Sequence, residues 1–279
     1  MLNCFFVSDI HGRTELYKKL FDEIFAEKPQ AVFLGGDLLP HHYNNKNFIL
    51  DFLQPNLQSL KIRLEIHYPK IFLILGNDDA RIEEPLIQKL EKQSLIEYIH
   101  FRKTNFLEYD IYGYAFTPPS PFLLKDWEKY DVSRFVDPGS ISPEEGKRTV
   151  EVSIHEKKYS TIKDDLDTLT KNENLSKSIF LFHGPPYQTN LDRAALDGKL
   201  IDHAPVDTHV GSVAIKRFIE KKQPLITLHG HIHESARISG SWKDKIGRTY
   251  CFSAAHDGSE LAIVKFEFSN PETAERILL

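Results

Sequence analysis

Five times along this chain a short apolar run stops abruptly at a turn built from Gly, Asp, Asn or His. Residues 3–8 (NCFFVS) lead into Asp9-Ile10-His11-Gly12, residues 31–34 into Gly35-Gly36-Asp37, and residues 71–75 into Gly76-Asn77-Asp78-Asp79. Residues 178–182 lead into His183-Gly184-Pro185-Pro186, and residues 224–228 into His229-Gly230-His231-Ile232-His233. Apolar runs this short, without polar alternation, read as strands buried on both faces. Between them the periodicity changes to that of helices. Leu16, Leu20 and Ile24 share one face of a helix ended by Pro29, and Ile162, Leu166 and Leu169 share another. Strands alternating with helices predict an α/β fold with a largely parallel core, in which functional loops gather at the carboxyl ends of the strands.

The remaining segments are read in the same way. A helix carries Phe48 and Phe52 and breaks near Pro55; another runs from about Pro85 to about Gln93. Residues 96–101 read as a strand and 105–116 as one or two more. Residues 122–158 are polar and irregular, with Trp127 and Tyr130 as isolated aromatics. The expectation is a single domain over residues 1–279 with an insertion or flap at about 103–175. Ser212 is placed to cap a helix holding Val213, Phe218 and Ile219. Residues 248–253 and 261–268 read as an antiparallel pair closing the second half of the core.

Each of the five turns carries a side chain able to bind a metal: Asp9 and His11, Asp37, Asn77, His183, and His231 with His233. A pair of histidines alone is a weak signal; donors at five strand ends predicted to converge are a strong one. Seven donors exceed the coordination of one ordinary ion and suit two, if one carboxylate bridges. Imidazole, carboxylate and amide donors without thiolate favour manganese, iron or zinc over calcium. Cys4 and Cys251 lie in apolar runs with no ligand-like spacing and read as buried thiols. The formal net charge of -5 argues against a non-specific nucleic-acid binder. No basic and apolar leader opens the sequence, and no stretch reaches the roughly 18 apolar residues of a membrane span. A cytoplasmic protein without membrane contact is expected; the oligomeric state is left open.

On Asp9-Ile10-His11, Gly36-Asp37, Gly76-Asn77-Asp78, His183 and Gly230-His231-Ile232-His233, the chain resembles the calcineurin-like metallophosphoesterases. The resemblance implies their sandwich of central mixed β-sheets flanked by helices. It also implies a ligand plan: Asp9, His11 and His233 on one ion, Asn77, His183 and His231 on the other, Asp37 bridging, and a metal-bridging hydroxide as nucleophile. The chain departs from the pattern at Asp78, where members often carry a His that assists the leaving group. A carboxylate beside two cations stays ionised and donates a proton poorly. The implied function is therefore a phosphodiesterase acting on small or nucleotide-like substrates, with Asn77 and Asp78 as candidate catalytic residues. A nuclease or a non-catalytic scaffold of the same fold is the alternative. Arg81, Tyr187 and His209 are candidate substrate contacts; His203 and His256 sit in loops that can return to the cleft.

Overall fold

The computed structural model describes residues 3–41, 48–171 and 173–279. The first half runs β1 (Asn3–Val7), α1 (Thr14–Glu27), β2 (Ala31–Gly35), α2 (Gln54–Leu64), β3 (Lys70–Ile74), α3 (Glu84–Lys92) and β4 (Glu97–Tyr98). There follow β5 (Arg102–Phe106), β6 (Tyr109–Tyr114), α4 (Ile154–Lys158), α5 (Ile162–Leu169) and β7 (Ser178–Phe182). A small hairpin, β8 (Leu200–Ile201) and β9 (Ala204–Pro205), precedes α6 (Val213–Lys222), β10 (Ile226–His229) and α7 (Ser235–Ser239). The chain closes with β11 (Lys243–Ile246), β12 (Thr249–Ser253), β13 (Ala262–Glu267) and β14 (Glu275–Leu278).

Two six-stranded mixed sheets result, with strand orders β14-β13-β1-β2-β3-β4 and β11-β12-β10-β7-β6-β5. In the first, β1 to β4 are parallel and β13 runs antiparallel on β1. In the second, β12, β10, β7 and β6 are parallel, with β11 and β5 antiparallel at the edges. The sheets meet with β2 against β7 and β3 against β6, so the carboxyl ends of β1, β2 and β3 face those of β7 and β10. Every residue of β2 and β7 is buried, as a strand covered on both faces requires. Helices cover the sandwich. The helix α1 buries Leu16, Tyr17, Leu20, Phe21 and Ile24 and stops at the left-handed Lys28, before Pro29. Ser212 Oγ accepts the Ile215 amide at 3.0 Å and starts α6. No described helix is long and apolar enough to cross a membrane.

The structure differs from the sequence reading in three places. The strands read at 248–253 and 261–268 are not a pair: β12 lies beside β10 in the second sheet and β13 beside β1 in the first. Their connection changes sheets, which periodicity cannot register. Pro55 does not break its helix. It sits in the first turn of α2, where its missing N–H would have no partner in any case, and a π-helical turn over Phe48–Leu53 leads into it. The stretch read as an insertion at about 103–175 contains most of β5 and all of β6, α4 and α5; apart from α4, the irregular part lies between Tyr114 and Ile162. That part is anchored to the body rather than loose. Trp127 is fully buried, and Asp131 accepts the Val213 amide at 2.7 Å at the start of α6.

Candidate metal centre

The strand-end turns are joined by backbone hydrogen bonds before any side chain is considered. Asp9 N–H donates to Gly36 O at 3.0 Å, His11 N–H to Asp37 O at 2.8 Å, and Gly230 N–H to His183 O at 2.8 Å. The turns after β2 and β3 are tied by the buried Asp79, which accepts the amides of Leu39 at 2.7 Å and Gly76 at 2.9 Å. The two sheets are tied by Asp9, whose Oδ1 accepts the His231 amide at 3.0 Å. Asp9, His11, Asp37 and His231 all adopt left-handed backbone, with φ of 57°, 49°, 52° and 75°. For residues other than glycine this conformation is uncommon and concentrates at functional sites. Two glycines are dictated by space. A Cβ on Gly36, whose φ is +92°, would lie 2.7 Å from His183 Nδ1, and one on Gly230 would lie 2.7 Å from Asp9 Oδ2.

Side chains from both sheets then meet in two groups. Asp9, His11, Asp37 and His233 offer donor atoms within 4.8 Å of one another, and so do Asp37, His183 and His231; Asp37 is common to both. Asn77 joins the second group, its Oδ1 2.9 Å from His183 Nε2. Because His183 Nδ1 donates to the Gly35 carbonyl at 2.8 Å, its Nε2 turns inward, 3.2 Å from Asp37 Oδ2. In the first group the Nε2 atoms of His11 and His233 lie 3.2 Å apart, and His233 Nε2 is 3.3 Å from Asp9 Oδ1. Protons on His183 and His233 make these contacts favourable in the metal-free chain; without those protons the atoms are crowded lone pairs, an arrangement that asks for a cation.

The titration behaviour says the same. Burial opposes ionisation of Asp9, yet His233, His183 and His11 hold it well below the usual carboxylate range. Burial would also lower His183, but Asp37 and Asp9 raise it to about 10; His233, only partly buried, is raised to about 9 by Asp9 and Asp37. His231 and His11 are driven down by burial to about 3 and about 4, leaving neutral rings with free lone pairs. Two protonated imidazoles thus balance the buried carboxylates of the metal-free protein, and metal ions would displace those protons. The donor set fits such ions. Behind it, His229 donates from Nδ1 to Gly184 O at 2.9 Å and accepts from Thr227 at Nε2, steadying the His183 turn.

The other candidates are engaged elsewhere. Arg81 pairs with Glu156 at 2.6 Å and lies over Trp127, 5.1 Å from the ring centre. Tyr187 OH donates to Asp207 at 2.6 Å, and His209 Nδ1 pairs with Asp192 at 2.8 Å. His256 pairs with Glu260, and His203 lies exposed in the turn of the β8–β9 hairpin. One neighbour of the centre escaped the sequence reading. His41 stacks on His11, with ring centres 4.3 Å apart and planes 18° apart, and its Nδ1 is 3.4 Å from Asp78 Oδ2. It follows Pro40, outside any strand-end turn, so the only sequence signal was a His four residues beyond Asp37.

Two mixed sheets presenting Asp, His and Asn donors between their strand ends define a metal-binding α/β sandwich. The sequence profile described as calcineurin-like phosphoesterase matches residues 2–235, and the chain belongs to that family of metal-dependent phosphoester hydrolases. Solved structures share the fold at low sequence identity. The protein TT1561 of Thermus thermophilus superposes with a TM-score of 0.57 at 15% identity, over 99% of this chain and 98% of that one. A dimetal phosphatase of Danio rerio does so with a TM-score of 0.52 at 11% identity, again over 99% and 98% of the two chains. No curated protein matches the chain by sequence.

Proposed function

We propose that this chain hydrolyses phosphodiesters of small or nucleotide-like molecules with two transition-metal ions, manganese, iron or zinc. The supporting observation is that Asp37 belongs to both donor groups. A carboxylate in that position can give one oxygen to each ion, with Asp9, His11 and His233 on one side and Asn77, His183 and His231 on the other. Bound ions of this kind acidify water and neutralise charge on phosphoryl oxygens. The chain's own part is to hold the donors in place and keep the site dry. Backbone bonds between the turns fix the donors, and the full burial of His183 and near-full burial of Asp37 exclude water from beneath them. In the metal-free chain burial and the nearby Asp37 raise the Asp78 pKa to about 6, against the expectation of a lowered one. Bound cations would favour its ionised form, so that Asp78, part-exposed beside the donors, would add negative charge where substrate enters. That charge repels a phosphomonoester dianion more than a phosphodiester monoanion, which supports the diester reading. The Danio rerio neighbour, named a dimetal phosphatase, has the same fold.

The test is elemental analysis of the purified protein together with a panel of aryl and alkyl phosphomonoesters and phosphodiesters. Two ions per chain, activity lost on chelation and restored by Mn²⁺, and a preference for diesters are expected. Full activity after complete removal of metal would refute the mechanism, and a preference for monoesters would refute the substrate class.

A further inference from the structure

We propose that Asp78 is the positioning residue of this centre: one carboxylate holds a donor from each of the two groups, Asn77 through Oδ1 and His11 through Oδ2. The proposal rests on the reading that those groups bind ions, and it gives Asp78 a task other than proton transfer.

The Asn77 arm is formed in the structure. Asn77 Nδ2 donates to Asp78 Oδ1 at 3.0 Å, which commits the amide nitrogen outward and leaves Oδ1 facing His183 Nε2 at 2.9 Å. An amide side chain can turn over and present its NH₂ instead. Turned over here, it would push two N–H groups into a cluster of lone pairs. Asp78 Oδ1 selects the orientation in which Asn77 can act as a ligand.

The His11 arm follows from what the imidazole lacks. Its Nε2 points to His233 Nε2, 3.2 Å away, and so into the donor group. Its Nδ1 faces the other way, is buried, and has no hydrogen-bond partner among the described residues. Once Nε2 engages a cation, the ring proton resides on Nδ1, and a buried N–H without an acceptor is costly. Histidine ligands ordinarily give that proton to a carboxylate or carbonyl. Asp78 Oδ2 stands 3.9 Å from Nδ1, beyond hydrogen-bond length but within reach of a small carboxylate rotation. The same oxygen lies 3.4 Å from His41 Nδ1, and the His41 ring covers a face of His11. The carboxylate is itself anchored, because the Asp78 amide donates to Asp37 Oδ1 at 2.8 Å. Asp78 therefore touches Asn77 and, through its backbone, the shared donor Asp37, and stands within a small rotation of His11. His at this position could not replace it, since a neutral imidazole has only one acceptor nitrogen.

The experiment uses the full chain and the variants Asp78→Ala, Asp78→Asn, Asp78→His and His41→Ala. Mn²⁺ affinity is measured at each site by competition with a chelator, ions per chain by elemental analysis, and folding by thermal unfolding of the metal-free proteins. Asp78→Ala and Asp78→His are expected to weaken both sites by about 10–100-fold, the usual effect of removing a group that orients a ligand. Asp78→Asn, which keeps one acceptor oxygen and the shape, is expected to spare the Asn77 side and weaken the His11 side, with metal-free unfolding unchanged. His41→Ala is expected to bind Mn²⁺ like the parent. Parent-like affinity of Asp78→Ala at both sites would overturn the proposal, as would a third ion in the parent that Asp78→Ala removes, which would make Asp78 a ligand. A parent chain that binds no Mn²⁺ would overturn the functional reading and this proposal together.

Discussion

Asp37 divides its carboxylate between two tasks. Oδ1 accepts the Asp78 amide at 2.8 Å, and Oδ2 faces His183 Nε2 at 3.2 Å. Replacing it with Asn removes the charge shared by both donor groups and brings an NH₂ among lone pairs. Asn77→Asp keeps an oxygen donor and adds charge. Asp37→Asn should therefore lose more activity and metal than Asn77→Asp, and more than the roughly 10–100-fold typical of changes behind the ligands. Steady-state rates and ion content of the two variants check this, and equal losses would count against the shared role. The Asp9, Asp37, Asn77, His183 and His231 turns could be read from sequence because each stops an apolar run, so strand geometry alone brings them to one end of the sandwich. His41 could not be read, because its place depends on stacking against His11, a contact between the ends of two strands. Arg81 shows the same limit. Its ion pair with Glu156, 75 residues away, could not be read from its position after the Asn77 turn.

Among the elements, the excursion between β6 and α5 is fixed by polar groups that sequence patterning treats as solvent-facing. Lys125 and Glu128 form a fully buried ion pair, with Ser120 Oγ donating to Glu128 at 2.5 Å. At its root, the Ala115 amide donates to His100 Nδ1 at 3.1 Å, and the His100 ring packs edge-on against Trp127 at 4.9 Å. That hydrogen bond needs a neutral ring, and burial lowers the His100 pKa from 6.5 to about 3, with Lys129 and Arg81 adding to the effect. The folded pKa lies below the unfolded one, so between them the unfolded chain binds the extra proton. The contribution of His100 is present above about pH 6.5 and is lost as pH falls toward 3, at up to about 1.4 kcal/mol per pH unit. His100→Gln, which keeps an acceptor but does not titrate, should flatten the fall in stability across this window. Urea unfolding of metal-free parent and variant from pH 4 to 7 measures the difference, and identical slopes would refute it.

At the scale of the molecule, the donors come from both sheets: Asp9, His11, Asp37 and Asn77 follow strands of one, and His183, His231 and His233 follow strands of the other. An ion held by both crosslinks the halves of the sandwich, and the unfolded chain has no such site. Binding then adds stability by mass action, about 2.7 kcal/mol when free metal is 100 times its dissociation constant. Calorimetry with graded Mn²⁺ should show Tm rising with free metal, and chelation should lower it by several degrees. A Tm independent of metal would mean that the donors do not bridge the sheets.

The antiparallel bond between β1 and β13 fixes when this molecule can be finished. Strand β1 has β2 on one side, but its other side stays open until residues 262–267 exist, with Asn3 opposite Glu267 in the register. At about 5–20 residues per second, a ribosome takes roughly ten seconds to most of a minute to deliver that partner. Throughout that interval the apolar segment Asn3–Val7 offers an uncovered edge, the kind of surface that recruits other chains. All seven donors have been made by residue 233, so their presence does not complete the fold. A chain ended at residue 240 should aggregate even in excess Mn²⁺, whereas one lacking only β14 should remain dispersed; light scattering of the two during refolding separates them. The last strands made are thus what the first strand waits for.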